Sequence, residues 1–251
     1  MRKLPVPVLV LVSAFAAACG GSSSNSSPPP SGPVAGTIDG HTFTPTTTGD
    51  VKGLVAGSGA TPCSLGPLGT AGVKALAVEL TSYANACGDF ASATCAFHPN
   101  AQTVTLLFAK LNTAAGGAEP ALAPGTYPIA VSPAGVVLES PSTTVFHLAY
   151  AQAISTDGTC NGNSPTALTP AANGTLRIDS VAGPITGHVS VSFVNSATHA
   201  AAGTLEGDFS APLCSGTVDV CALATLAIAS GGGGTVPPEL FCSTTGATCV
   251  P

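Results

Sequence analysis

The chain has 251 residues, a formal net charge of −6 and only 7% charged residues, whereas ordinary soluble proteins have ~25%. This acidic balance argues against a basic face for nucleic acid or anionic lipid. The chain has no Trp and only three Tyr. Its composition therefore does not favour the aromatic platforms that usually bind sugars or quaternary amines.

The N-terminal segment has the pattern of an export signal. Arg2 and Lys3 precede an apolar run from Leu4 to Ala18, which is shorter than the ~20 residues needed to span a bilayer. A basic start, a short apolar segment and small residues at its end are typical of a secretory signal peptide. We therefore expect removal of residues 1–18, which leaves twelve acidic and four basic residues and a formal charge of −8.

Two processing routes fit the residues around Cys19. Signal peptidase would cleave after Ala18, whereas the lipoprotein pathway would cleave the same bond after lipid attachment to Cys19. The sequence resembles a lipobox, although Ala16 stands where that motif usually has Leu. Lipidation would also explain the odd number of cysteines, nine, because it leaves eight that can pair.

The residue after the cysteine bears on localisation. Gly20 stands where many inner-membrane lipoproteins of Gram-negative bacteria have Asp. The sequence therefore predicts a lipoprotein that carries acyl chains such as palmitate on Cys19 and is anchored in the outer membrane.

Composition divides the mature chain into three parts. Residues 19–35 comprise the lipidated cysteine and a Gly/Ser/Pro-rich tether, which cannot build a core. Residues 36–229 are predicted to form one β-domain, and residues 230–251 a Gly-rich hinge and a tail with the last two cysteines.

Short runs of alternating apolar and polar residues predict β-strands. The clearest runs are Gly174–Val181, Ile185–Val194 and Ala202–Ser210, which predict an antiparallel meander with one buried face. Phe193 is assigned to that buried face and Ser192 to the opposite one. Similar patterns predict strands at 36–44, 51–57, 73–81, 103–111, 126–131, 134–139 and 143–152.

Three of the other segments refine the fold prediction. Residues 73–81 are also compatible with a short helix, and residues 83–100 resemble a loop with one helical turn. Val104–Leu111 is apolar on both faces, which is typical of a central strand. The sequence thus predicts an all-β fold of about 8–11 short strands, either an antiparallel β-sandwich or a partly open barrel, stapled by disulfides.

Eight cysteines remain after lipidation, and in an exported chain they are expected to form disulfides. Because none forms a Cys-x-x-Cys pair, disulfides are favoured over a metal site. Our first predicted pair is Cys242–Cys249 and the next is Cys214–Cys221, with Cys87 as an alternative partner for Cys214. The eight candidates are Cys63, Cys87, Cys95, Cys160, Cys214, Cys221, Cys242 and Cys249.

No motif predicts a catalytic, cofactor or metal site. The segment Ala56–Ala60 contains Gly-Ser-Gly but lacks the frame of a nucleophile elbow, and it is interpreted as a loop tip. Asp157, Asn161 and Asn163 could ligate calcium, but their spacing does not match an EF-hand loop. A turn pinned by a disulfide at Cys160 is the favoured interpretation.

The histidines show no metal-binding spacing such as His-Glu-x-x-His. We interpret His188, on the polar face of its strand, and His199, in a turn, as solvated surface residues. His147 is interpreted as a hydrogen-bonded residue on the second face of the sheet. The five histidines are His41, His98, His147, His188 and His199.

Three stretches carry a family resemblance: Gly36–Thr44, the turn Pro124–Pro128 and the segment Gly203–Cys214. They resemble uncharacterised β-rich lipoproteins that are abundant in myxobacteria, over roughly residues 34–214. The resemblance implies an exported β-rich domain and no known activity.

These features predict a non-enzymatic, lipid-anchored cell-envelope protein whose β-domain serves structure or interaction. Its partners would be the membrane, through the lipid, and a protein or glycan, with no nucleic acid and no cofactor. One alternative is a substrate-binding or adhesion module whose partner meets loops at one end of the fold. The other is an envelope hydrolase in which Ser, His and Asp, or paired carboxylates, converge.

Overall fold

A computed structural model describes residues 32–46, 53–64, 70–84, 86–87, 96–114, 117–132, 135, 137–141, 143–160, 166–217 and 248–249. These residues contain fifteen β-strands. The first eight are β1 (Ala35–Ile38), β2 (His41–Phe43), β3 (Leu54–Ser64), β4 (Thr70–Thr81), β5 (Ala96–Phe97), β6 (Gln102–Asn112), β7 (Gly125–Pro128) and β8 (Val137–Leu138). The other seven are β9 (Val145–Ser155), β10 (Thr166–Pro170), β11 (Thr175–Ser180), β12 (Ile185–Asn195), β13 (Ala201–Ala211), β14 (Leu213–Thr217) and β15 (Thr248–Cys249).

Thirteen strands belong to one sheet, and ten of them follow the order β14-β3-β4-β6-β9-β10-β12-β13-β1-β2. Strand β11 pairs with β12 and β7, and β8 pairs with β9, while β5 and β15 form a separate two-stranded sheet. The sheet curls into a half-barrel. The all-β prediction is confirmed, and the partly open barrel is the arrangement observed.

One continuous segment joins distant parts of this sheet, because β14 is an end strand and β13 is the third strand from the other end. Only Pro212 separates β13 from β14, and β14 pairs in parallel with β3, with Leu213 opposite Ala56. The amide of Ala56 donates to the carbonyl of Pro212 at 2.8 Å. This parallel pairing differs from the antiparallel pairing of the other described strands in the large sheet, because the chain continues from β13 into β14 without reversing in a hairpin.

The meander is built as predicted. Strands β11, β12 and β13 pair antiparallel, with Val191 opposite Leu205. Phe193 is buried at 1% exposure, and Ser192 is exposed on the opposite face. Because the side chains of a strand alternate, this register directs every apolar residue of β12 at odd-numbered positions toward the core.

A single core fills the half-barrel, with contributions from both halves of the sheet. Phe43 of β2, Phe108 of β6 and Phe193 of β12 are among its largest fully buried side chains. On β6, Leu107 and Leu111 point away from this core and are buried as well. This two-sided burial confirms the prediction of a central strand, and β4 beside it is a strand rather than a helix.

Two predicted segments have a different local structure. Residues 36–44 form the hairpin β1–β2, because Asp39 and Gly40 both have positive φ angles, 51° and 78°. Such angles at two successive residues define the tight turn for which Asp-Gly is a strong signal.

The loop-tip interpretation of Ala56–Ala60 is wrong, since these residues lie within β3 and pair with β4. Strands β5, β10, β14 and β15 were not predicted, and β5 lies in the segment 83–100 that was expected to be a loop.

The disulfides connect distant parts of the chain. Cys87 is bonded to Cys214 and Cys160 to Cys249, with Cα–Cα distances of 5.5 and 5.8 Å. Cys63 is also disulfide-bonded. The predicted pairs Cys242–Cys249 and Cys214–Cys221 are therefore wrong, whereas the alternative Cys87–Cys214 is confirmed. Three candidates lie outside the described residues: Cys95, Cys221 and Cys242.

Strand pairing explains the Cys160–Cys249 bond. Cys249 of β15 lies opposite Phe97 of β5, and the Sγ atom of Cys160 lies 3.5 Å from the carbonyl oxygen of Phe97. The short strand β15 thus brings the cysteine beside a partner 89 residues away in sequence. Residues 230–247 of the predicted hinge and tail lie outside the described residues.

We predict that Phe193→Asp and Ser192→Asp differ strongly in stability. The first change buries an unpaired charge in the core and should lower the free energy of unfolding by several kcal/mol. The second adds a charge on the exposed face and should lower it by less than about 1 kcal/mol. Chemical denaturation of both variants measures the difference, and equal losses would contradict the register.

We predict that Cys87→Ser with Cys214→Ser lowers the free energy of unfolding by ~2–5 kcal/mol, because this bond restricts a long loop of the unfolded chain. The bond spans 127 residues of sequence. Denaturation of the variant and of the oxidised wild type measures the loss, with reduced wild type as the control. A variant as stable as the oxidised protein would show that this crosslink does not stabilise the fold.

Candidate functional site

A cavity of about 270 Å³ lies at one end of the half-barrel. Here the β1–β2 hairpin meets the beginning of β6 and the end of β9. These two strands are antiparallel neighbours, so that Gln102 lies directly opposite Ser155. The lining residues are Asp39, His41, Asn100, Gln102, Ser155, Thr156 and Asp157.

Three buried polar residues form the floor of the cavity: Gln102, Ser155 and Thr156, at 8%, 4% and 8% exposure. The Thr156 hydroxyl accepts a hydrogen bond from the amide of Ala101 at 2.9 Å and donates one to the carbonyl of His98. Within the described residues, neither the side-chain amide of Gln102 nor the hydroxyl of Ser155 has a hydrogen-bond partner. Among the described residues, the buried side-chain atoms without a partner belong to His147, Tyr150 and His188. The polar atoms of Gln102 and Ser155 are therefore accessible from the cavity, to which they present donors and acceptors.

Four exposed residues form the rim: Asp39, His41, Asn100 and Asp157. The backbone amide of Asn100 donates to the carbonyl of Asp157 at 2.9 Å, which ties the two loops together. A carboxylate oxygen of Asp157 accepts hydrogen bonds from the amide and hydroxyl of Thr159, each at 2.8 Å. Asp39 and Asn100 have left-handed φ angles of 51° and 52°, which Asp and Asn tolerate better than most residues.

The described lining residues of the cavity have an acidic character. They include two carboxylates and no Lys or Arg. Lys110 lies on the same strand as Gln102 but eight residues further along, a distance of ~26 Å. Arg177 is paired with Asp179 at 2.9 Å, in a different part of the sheet. The rim carboxylates therefore have no neutralising Lys or Arg among the lining residues.

The cavity contains residue types that hydrolases use, but not their arrangement. Asp39, His41, Ser155 and Asp157 line it together. Within the described residues, the His41 ring makes no hydrogen bond to Ser155 or to either carboxylate. A nucleophile and its base normally lie within hydrogen-bonding reach. The same part of the chain contains no cluster of three or more His, Cys, Asp or Glu residues that could hold a metal ion.

A second polar cluster lies toward the opposite ends of the same strands. Buried Lys110 forms an ion pair with Glu139 at 2.6 Å. His147, opposite Lys110 in the sheet, has its Nδ1 atom 4.0 Å from Glu139 and without a hydrogen-bond partner among the described residues. Burial lowers the pKa of His147, an effect that Glu139 opposes and Lys110 reinforces. The interpretation of His147 as hydrogen-bonded on the second face is therefore wrong, because it shares the inner face with Ala149.

The interpretation of His188 as a solvated residue is also wrong. It lies on the polar face of β12 but is only 4% exposed, because Arg177 and Asp208 flank it in register. Its Nδ1 atom is 2.9 Å from the carboxylate of Asp208, which is 3.5 Å from Arg177. His199 is exposed in a turn, as predicted.

The turn that begins at Asp157 is pinned by a disulfide, as predicted. The amide of Cys160 donates to the carbonyl of Asp157 at 3.0 Å, and Cys160 is bonded to Cys249. Asn161 and Asn163, the other two candidate calcium ligands, lie outside the described residues.

The residues of the cavity floor were not predicted from the sequence, although each is a polar residue on the otherwise apolar face of a strand. Gln102 precedes Val104, Leu106 and Phe108 on the inward face of β6. Ser155 follows three alanines, Ala149, Ala151 and Ala153, on the inward face of β9. A polar residue on the otherwise apolar face of a strand marks either the end of the strand or a polar cavity. Gln102 and Ser155 lie both at strand ends and in a cavity.

No protein-family model, curated protein or solved structure matches the chain. Among the described residues, no helix has the length and apolar character needed to cross a membrane. Fold and site together define a disulfide-stapled, all-β half-barrel with a small acidic cavity at one end.

We predict that Gln102→Leu leaves stability nearly unchanged, because the amide that it removes faces the cavity and makes no hydrogen bond within the described residues. Gln152→Leu is the matched control, since Gln152 is similarly buried at 9% exposure but takes part in an interaction. Its loss should lower the free energy of unfolding by ~1 kcal/mol. Denaturation of both variants provides the comparison, and a larger loss for Gln102→Leu would mean that this amide stabilises the fold.

Proposed function

We propose that this chain is an exported, lipid-anchored protein of the bacterial cell envelope, with a non-enzymatic β-domain that serves interaction. The observation that carries the proposal is the set of disulfides, Cys87–Cys214 and Cys160–Cys249, together with bonded Cys63. Structural disulfides persist in oxidising compartments outside the cytoplasm. They support the export indicated by the basic and apolar residues 1–18, and pairing of all eight later cysteines would leave Cys19 as the odd one for the lipid.

The beginning of the described domain is compatible with display on a tether. The amide of Val34 donates to the carbonyl of Asp208, and the amide of Asp208 donates to the carbonyl of Gly32. These bonds fix the chain to β13 from Gly32 onward. A fully extended segment from Cys19 to Gly32 would span ~40 Å. A lipid on Cys19 would thus hold the domain near the membrane without burying its surface.

The cavity favours a second, compatible function, which is the binding of a small ligand. The specific observation is the pair of polar side chains on its floor, Gln102 and Ser155, which belong to buried residues but whose polar atoms face the cavity. A ligand or water can supply hydrogen bonds to such groups. In the described residues His41 makes no hydrogen bond to Ser155 or to a carboxylate, which favours this binding role over an envelope hydrolase.

We predict that Cys19→Ala moves the protein from the detergent phase to the aqueous phase, because the change removes the acyl chains that bind it to the bilayer. Phase partitioning of the exported protein measures the shift. Ser22→Ala, a substitution within the same tether, is the control and should remain in the detergent phase. Intact-mass spectrometry that detects an unmodified Cys19 in the wild type would contradict lipid attachment.

A further inference from the structure

We propose that the cavity at the β1–β2 end binds a small organic cation that carries both an ammonium group and hydroxyl groups. The inference deepens the proposed ligand-binding function and rests on it. It follows from three properties of the cavity: the charge of its rim, the polar floor and its volume.

The rim selects the charge of the ligand. Asp39 and Asp157 present carboxylates, and no Lys or Arg lines the cavity. The carboxylate of Asp39 has no hydrogen-bond or ion-pair partner in the described part of the chain. An anionic ligand would be repelled, whereas an ammonium group would gain charge-assisted hydrogen bonds, which are about twice as strong as neutral ones.

The floor selects hydroxyl groups. The Gln102 amide offers two donors and an acceptor oxygen, and the Ser155 hydroxyl can donate or accept. Both residues are more than nine-tenths buried, and their polar atoms, which are not among the buried unpaired atoms of the described residues, face the cavity. A hydroxyl group is matched to such a mixed surface because it also donates and accepts. An apolar group would leave the amide and the hydroxyl unsatisfied.

The volume fits a small organic molecule rather than a bare ion. At about 270 Å³, the cavity lies just below the ~300 Å³ at which typical ligand pockets begin. A Ca²⁺ ion would require six or more oxygens at roughly 2.3–2.6 Å, and the described residues contain no cluster of three or more ionisable metal ligands. No aromatic residue lines the cavity, so hydrogen bonds and charge must supply the affinity.

Calorimetric titration of the exported, disulfide-bonded protein tests the proposal with three probes of one size: glucosamine, glucose and glucuronate. At neutral pH, glucosamine should bind at least about tenfold more tightly than glucose, the ratio that corresponds to ~1.4 kcal/mol. Glucuronate should show no binding. Asp39→Asn should weaken glucosamine binding by about tenfold and remove its advantage over glucose, because Asn keeps the shape and tolerates the left-handed backbone.

The matched control is Asp179→Asn, which removes the same charge outside the cavity, where Asp179 pairs with Arg177. It should leave glucosamine binding within about twofold of the wild type, a change well under 1.4 kcal/mol. Thermal melts verify that both variants are folded. Gln102→Leu, in which the rim is intact, should weaken both glucosamine and glucose.

The possible failures are distinguishable. Equal binding of glucosamine and glucose, or binding of glucuronate, would show that the cavity does not prefer a cation. The proposal of a small-ligand binding function would then still hold. Binding of Ca²⁺ that Asp39→Asn abolishes, with no sugar bound, would replace the organic cation by a metal ion. No binding of any probe would overturn both the ligand class and the proposed binding function.

Discussion

The fold depends on the continuous segment through Pro212, which belongs to β13 before the proline and to the end strand β14 after it. Strand β13 pairs with β12 and β1, and β14, one residue later, pairs with β3. Proline suits this position, because it has no amide proton to leave unpaired, and its carbonyl still accepts a hydrogen bond from Ala56. This connection holds β3 near β13, so that the sheet curls around one core. The Cys87–Cys214 bond lies just beyond Pro212 and ties β14 to the chain that follows β4.

Burial inside the curled sheet also compensates for the small number of stabilising ion pairs. Ion pairs such as Lys110–Glu139 and Arg177–Asp179 are few among the described residues, and exposed pairs contribute only ~0–1 kcal/mol each. The stability therefore comes from burial inside the curled sheet and from the disulfides. The cavity has the same origin, because curling brings the β1–β2 hairpin over the ends of β6 and β9. A flat sheet with the same strands would leave Gln102 and Ser155 at an open edge, hydrogen-bonded to water.

Local patterns predicted the strands well, whereas long-range contacts were not predictable. The alternation in Ile185–Val194 identified the buried face that includes Phe193. The Asp39-Gly40 dipeptide is a local hairpin signal within a segment that was predicted as one strand. The partners of Cys214 and Cys249 depend instead on which strands meet in space, so pairing by short sequence separation failed. The cavity likewise combines residues more than one hundred positions apart, which no spacing motif contains.

The most direct test of closure is NMR detection of the scalar coupling across the hydrogen bond from the amide of Ala56 to the carbonyl of Pro212. This bond is 2.8 Å long and joins the residue after β13 to β3, so it forms only if the sheet curls to bring these strands together. The curled half-barrel predicts a measurable coupling and an Ala56 amide that is protected from hydrogen exchange. Absence of the coupling, with an Ala56 amide that exchanges as fast as an unstructured one, would contradict closure through Pro212 and with it the origin proposed for the cavity.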